Sequence, residues 1–424
     1  MNDPQTPLDA RPAVDAPLDA KRLNAASLAV FVTFLLNGFN FASWAARLPA
    51  VRDGLDLRPE QIGLLLLVGS IGSLVALPLS GMVVQRLGAR RTILIFATLN
   101  AAGLLLAATG VAVGVVWVVV PALVLFGVGT GVWDSAMNLE GAAVEQRLGR
   151  AIMPRFHAGF SFGTMAGAAL GAVAAWLDAP IVVHLAVALT LSTVGVFLCS
   201  RYFLPEGTHD AVSEHVEDGA PRVRAFNAWL EPRTLLVGLV VLAAALTEGA
   251  ANDWVSLAVV DGFDTSDALG AVAFGVFVTA MTAMRLLGTA LLDRWGRVKV
   301  LRLCAALSLV GLAVFGLGPT LWLALVGAVL WGMGAALGFP VGMSAASDDP
   351  RRAAPRVAVV ATIGYSAFLA GPPLLGLLAE QVGYRQALLV IMVPVIIGLL
   401  VIPAARPLPT AAGAALAEEP RPGA

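Results

Sequence analysis

The chain is 424 residues long, 58% hydrophobic and only 13% charged, with a net charge of −1. A soluble domain carries about 25% charged residues, so the composition excludes an ordinary soluble domain, and a near-neutral chain without a basic patch is no nucleic-acid binder. Two cysteines, Cys199 and Cys304, lie in apolar runs with no Cys or His at ligand spacing, which excludes a disulfide framework and structural zinc.

The first 20 residues are rich in Pro, Asp and Ala and lack a basic n-region, so they read as part of a disordered cytoplasmic tail (1–24) and not as a cleaved signal. From there apolar stretches of about 20 residues, enough to span a bilayer, can be drawn twelve times, the first centred near Leu36 and the last near Val393. The expected fold is an all-α membrane protein of twelve transmembrane helices.

The first span carries Asn37 and Asn40 at mid-depth, with Ser43 and Trp44 a turn on. These amides suit a polar solute or act as glue between helices. The linker after the second span reads Gln85-Arg-Leu-Gly-Ala-Arg-Arg91. The fourth span holds Gly127, Gly129 and Gly131, then Trp133, Asp134, Asn138 and Glu140. A carboxylate at membrane depth costs several kcal/mol and marks a functional site by default. Asp134 and Asn138 share one helical face, and a packing network is the alternative reading. Glu140 and Glu145 are expected to pair with Arg86, Arg90 or Arg147.

His157 opens the fifth span, which continues as Gly163-x-x-x-Gly167-x-x-x-Gly171, a stripe for close helix contact. Residues 25–204 form the first six-helix bundle. The polar stretch 205–231 reads as a cytoplasmic linker, and 232–405 as the second bundle. There the seventh span has Glu248, Asn252, Asp253 and Trp254, and the eighth has Arg285. A buried arginine needs a carboxylate, and Glu248, Asp253 and Asp134 are the candidates. The next linker reads Asp293-Arg-Trp-Gly-Arg-Val-Lys299. Gly338-Phe-Pro340, Gly371-Pro-Pro373 and Pro394 are expected helix breaks. A second disordered tail covers 406–424. The Lys/Arg bias of the even-numbered linkers puts them and both termini in the cytoplasm, with the chain in the cytoplasmic (inner) membrane.

Gly88 and Gly296 stand 208 residues apart in matching linkers. That repeat implies two pseudo-symmetric halves, the layout of a two-bundle transporter. The same offset maps Asn40 to Glu248, Ala45 to Asp253 and His157 to Tyr365.

Gly81, Arg86, Gly88, Arg90 and Arg91 resemble the Gly-x-x-x-Asp-Arg-x-Gly-Arg-Arg signature of the major facilitator superfamily, with Gln85 in the Asp position. Asp293, Arg294, Gly296 and Arg297 repeat it, with Thr289 in the first glycine position. The resemblance implies a tight cytoplasmic turn with interhelical charge contacts, the gate motif of that fold. Trp133-Asp-Ser-Ala-Met-Asn138, Arg155-Phe-His-Ala-Gly-Phe-Ser161 and Glu248-Gly-Ala-Ala-Asn-Asp-Trp254 resemble the MosC-like and YbjJ-like branch, which is similar to the fucose permease group. In that group a fourth-helix acid followed four residues later by Asn takes part in proton coupling, which is what the likeness implies for Asp134. The group's first-helix Asp has no match, since Ala45 stands there.

The function expected is secondary transport of a small polar solute such as a sugar, polyol or related metabolite, coupled to protons. Asp134, Glu248, Asp253 and Arg285 are the expected proton-coupling set. Asn37, Asn40, Trp44, Trp133, Asn138, His157, Asn252, Trp254 and Tyr365 are the expected solute contacts. The partners are then the solute, protons and the bilayer, with the protein a monomer and no cofactor or metal. A proton-coupled exporter of amphipathic compounds and a non-transporting membrane sensor are the alternatives. No nucleophile–base spacing points to an enzyme.

Overall fold

The computed structural model describes residues 19–148, 152–205, 225–349 and 352–407. Most of the expected tails and of the expected linker lies outside these residues. Among the described residues every regular element is helical. A chain apolar around its whole circumference has no water to satisfy its backbone, and helices satisfy it internally.

The helices are α1 (Ala20–Ala45), α2 (Leu48–Leu55), α3 (Pro59–Leu87), α4 (Ala89–Ala112), α5 (Val116–Leu148), α6 (Met153–Trp176) and α7 (Ile181–Cys199). The second half has α8 (Pro232–Phe263), α9 (Asp267–Leu317), α10 (Leu321–Ala335), α11 (Gly338–Ala346), α12 (Ala353–Val382), α13 (Tyr384–Ala387) and α14 (Met392–Val401). Starts are marked locally. Pro59 and Pro232 stand at first helical positions, where a missing N–H costs nothing. The Ser266 and Thr320 hydroxyls accept from Leu269 N and Leu323 N.

Among the described residues, eleven helical stretches are long and apolar enough to cross a membrane. One of them, α9, has 51 residues, roughly 75 Å at 1.5 Å per residue, against a hydrocarbon core of about 30 Å. It bends back at Gly296 (φ 72°, ψ 161°), so it is two limbs and the crossings number twelve. Gly88 does the same between α3 and α4 (φ 77°, ψ 156°). Only glycine adopts this conformation without strain.

A second matched pair was not visible in the sequence. Asp56 ends α2 in the left-handed region (φ 49°, ψ 49°) and Asp264 ends α8 there too (φ 50°, ψ 53°). These residues are also 208 apart, so the repeat is written into the backbone twice.

In the first bundle α1 packs on α6 and α7, and α5 on α3 and α4. In the second α9 packs on α10, and α8 on α12 and α14. The glycine stripe of α6 lies on α1: a Cβ at Gly167 would stand 3.0 Å from both the Ala42 Cβ and the Ser43 N. The expected break at Gly338-Phe-Pro340 is the gap between α10 and α11. A short 3-10 turn, Leu388–Ile391, precedes Pro394. Pro372 and Pro373, by contrast, lie within an unbroken α12.

The bundles meet through α3 against α12 and α6 against α9. Gly63 of α3 lies against Pro372 and Gly376 of α12 so closely that neither glycine has room for a Cβ. Arg52 pairs with Asp261 and Arg58 with Glu380 across the same boundary. The Gly63–Gly376, Arg52–Asp261 and Arg58–Glu380 contacts lie toward the membrane face opposite the one where α1 begins and α14 ends. Toward that terminal face α5 and α11 make no substantial contact across the boundary, which leaves a cleft.

Candidate functional site

The cleft is organised around α5. Gly127 and Gly131 let α5 lie against Ser73 of α3, and Gly129 lets it lie against Asn100 of α4. Asp134, seven residues on from Gly127, stands beside the α3-facing side of the helix and away from the side that meets α4. Asp134 is partly buried, near the middle of the helix. Its carboxylate has no hydrogen bond or ion pair among the described residues. Asn138 donates one N–H to the Asp134 backbone oxygen at 2.8 Å, so it braces the turn that carries the acid. Tyr365 of α12 lies within electrostatic reach of Asp134 from the opposite bundle. Its ring heads an aromatic row, 6.0 Å from Phe339 and 6.2 Å from Phe368.

Arg285 resolves to one of its three candidate partners. It binds both carboxylate oxygens of Glu248, at 3.0 and 2.8 Å, and donates to the Ala336 oxygen at 3.2 Å. A fourth bond, to the Ser161 hydroxyl at 3.4 Å, crosses the bundle boundary. Four of the five guanidinium N–H donors are therefore engaged. His157, one turn before Ser161 on α6, is exposed in the cleft and stacks edge-on against Phe34 at 5.3 Å.

Asp253 lies apart from this group. It lines a small space of about 10 Å³ between α8 and α12, with Gly249, Trp254, Phe368 and Gly371. Asn252 beside it is partly buried.

Several expected solute contacts face elsewhere. Trp133 and Trp254 are 0% and 1% exposed, and Trp44 is also buried. Trp133 packs with Phe34, Met137 and Phe156 inside the first bundle, while Trp254 lies on Tyr384 at 5.6 Å. They build the cores and do not reach the cleft. Asn40 donates to Asn100 at 3.0 Å, and Asn100 donates to Thr130 at 2.9 Å. This triad joins α1, α4 and α5 and realises the glue alternative for Asn40. Asn37 is buried as well. Asn100 itself was missed by the sequence reading, although an amide at that depth in an apolar run was a usable signal.

Among the described residues Glu145 pairs with no arginine. It accepts from Ile152 N and Met153 N at 2.6 and 2.7 Å, so it caps the start of α6. Glu140 accepts from Leu204 N at 2.8 Å. In the gate motif Arg297 pairs with Asp348 at 2.9 Å, and Arg233 joins the same carboxylate at 2.8 Å. Nearby, Glu231 binds Arg356 at 2.6 Å and Arg352 at 3.2 Å. Burial pulls the Glu231 carboxyl upward, but bonds from Arg356 and Thr234, the Arg356 charge and Arg352 hold it below the usual range. Gly81, Arg86, Arg90, Arg91, Asp293 and Arg294 are exposed.

The profile of the Major Facilitator Superfamily matches residues 30–274 and 237–423, together most of the chain. The chain belongs to the major facilitator superfamily. A relative from Sinorhizobium fredii, the uncharacterized transporter y4wD, is 35% identical over 373 residues, covering 86% of this chain and 96% of the relative. Membrane protein MosC of Rhizobium meliloti is 29% identical, with 86% of each chain covered, which sets this superfamily member in the MosC-like branch. Among solved structures, the nucleoside transporter NupG is similar with a TM-score of 0.72 at 16% identity, covering 90% of this chain and 98% of NupG. That likeness carries the superfamily fold. The protein is a membrane transporter, and Gly88 and Gly296 of its matching linkers turn the chain between paired helices.

Proposed function

We propose that this transporter carries a small polar solute across the cytoplasmic membrane by alternating access, with proton coupling at Asp134. One observation carries the reading: a carboxylate without a bonded partner stands at mid-membrane, in the cleft between two bundles. Ionised it is costly there, and protonated it is not. A change of protonation therefore changes the cost of closing the cleft around it. Glu248 and Arg285 hold each other and bridge to Ser161, so they tie the second bundle to the first as the cleft closes. His157 and Tyr365 border the same space. With both termini cytoplasmic, the cleft opens to the cytoplasm and Arg52–Asp261 closes the outer face. The protein works as a monomer.

The exporter reading rested on a tryptophan-lined cavity. Those tryptophans pack in the cores, and no observation favours it. The test uses proteoliposomes loaded with a pH-sensitive dye. Solutes that raise the melting temperature of the purified protein, as ligands of the folded state do, should also move protons when added. Solute flux with no proton movement would sink the coupling, and binding without flux would sink transport altogether.

A further inference from the structure

Charge in the cleft is not balanced, and the imbalance has a sign. Arg285 is the cation that reaches it from mid-membrane, and its three nitrogens are bound to Glu248, Ala336 and Ser161. Its charge is met by Glu248, which leaves the Asp134 carboxylate as the charge in excess. Asp134 stands free on the facing helix, and its neighbour Asn138 already gives an N–H to the backbone. Tyr365 lies within electrostatic reach of Asp134, and its ring stands 6.0 Å from that of Phe339. A free carboxylate with aromatic rings nearby attracts one kind of group. The carboxylate supplies the counter-charge and the rings supply the quadrupole that draws a cation to their faces. A neutral polyol satisfies neither demand, and a carboxylated solute opposes the first.

We infer that the solute bound between Asp134 and Tyr365 is a small organic cation, an amine in its ammonium form, with Asp134 as its counter-ion. The inference rests on the cleft being the solute site. It does not rest on proton coupling. The ammonium donates to the Asp134 carboxylate, and its carbon frame lies along Tyr365 and Phe339. Hydroxyls elsewhere on such a solute are compatible with the site, but the charged nitrogen decides recognition.

Thermal-shift titration of the purified full chain at one fixed pH tests this. The probes are three matched sets: glucosamine, glucose and glucuronate; cyclohexylamine, cyclohexanol and cyclohexanecarboxylate; choline and 3,3-dimethylbutanol. The cationic member of at least one set is expected to bind roughly tenfold or more tightly than its partners, the scale of one charge-assisted contact. Asp134→Asn is expected to abolish that preference, while Tyr365→Phe, which keeps the ring, retains it. Preference for a neutral or anionic member overturns the inference, as does the absence of any cation-preferring set, or unchanged preference in Asp134→Asn. The matched sets on the unsubstituted protein decide the matter even if Asp134→Asn misfolds. Cation-selective binding without flux would leave this inference standing and remove the transport reading. Flux restricted to neutral solutes would do the reverse.

Discussion

Arg285 and Glu248 show what a single buried ion pair can and cannot be asked to do. Both side chains are about four-fifths covered, so water still screens them in part. Removing one partner strands the other, which costs more than the pair is worth. Arg285→Met should destabilise the protein by roughly 1–3 kcal/mol, and Arg285→Met with Glu248→Gln by less. Melting temperatures of the two single variants and the double variant check this, and a double variant no better than the worse single would contradict it. The Asn40–Asn100–Thr130 triad is a smaller case. Asn100→Ala should cost about 0.6–2 kcal/mol, the range of hydrogen bonds between membrane helices, and leave solute binding unchanged. The need of Arg285 for a carboxylate was readable from residue types. Its choice of Glu248 was not, because the choice depends on how far α8 and α9 rotate toward each other. Trp133 and Trp254 were misplaced for a related reason. Their helices carry narrow polar faces, Asp134 with Asn138 and Glu248 with Asn252, and both tryptophans stand off those faces.

Helix contacts and caps set the next level. The α1–α6 seam depends on backbone meeting backbone at Gly163, where a Cβ would overlap the Leu35 oxygen. Gly163→Leu should therefore cost about 3 kcal/mol or more, the upper end of overpacking, seen as a lowered melting temperature or loss of the folded monomer peak. The Gly-x-x-x-Gly spacing made this seam legible, as the paired linkers made Gly88 and Gly296 legible. Asp56 and Asp264 escaped notice because a left-handed Asp has no spacing signature. The Glu231 cluster gives an element-scale pH dependence. Its carboxyl is held below the usual value, about 4.3 for an unfolded chain. A lowered folded value contributes stability that is present above the unfolded value and lost as pH falls through the folded one. Glu231→Gln should thus melt below the unsubstituted protein at pH 6, and the gap should narrow as pH falls below about 4. A gap independent of pH would contradict the ion-pair account.

At the scale of the whole molecule the two bundles touch on one face and part on the other. The touching face is held by Gly63 against Gly376 and by Arg52 with Asp261. Burial lowers the hold of Arg52 on its proton, but bonds to Asp53 and Asp261 outweigh that and raise it, so Arg52 stays charged at any physiological pH. The twelve crossings and the two-fold repeat were legible because each follows from a count or a spacing. The closed face was not, because Arg52 and Asp261 belong to different halves and nothing in sequence links them.

The central claim is that Asp134 couples solute movement to protons across this boundary. The direct measurement compares uptake driven by a pH gradient with solute counterflow in proteoliposomes, for the unsubstituted protein and Asp134→Asn. The expected result is loss of gradient-driven uptake in Asp134→Asn, with counterflow retained once the solute concentration is raised about tenfold to offset weaker binding. Gradient-driven uptake equal to that of the unsubstituted protein would contradict the account.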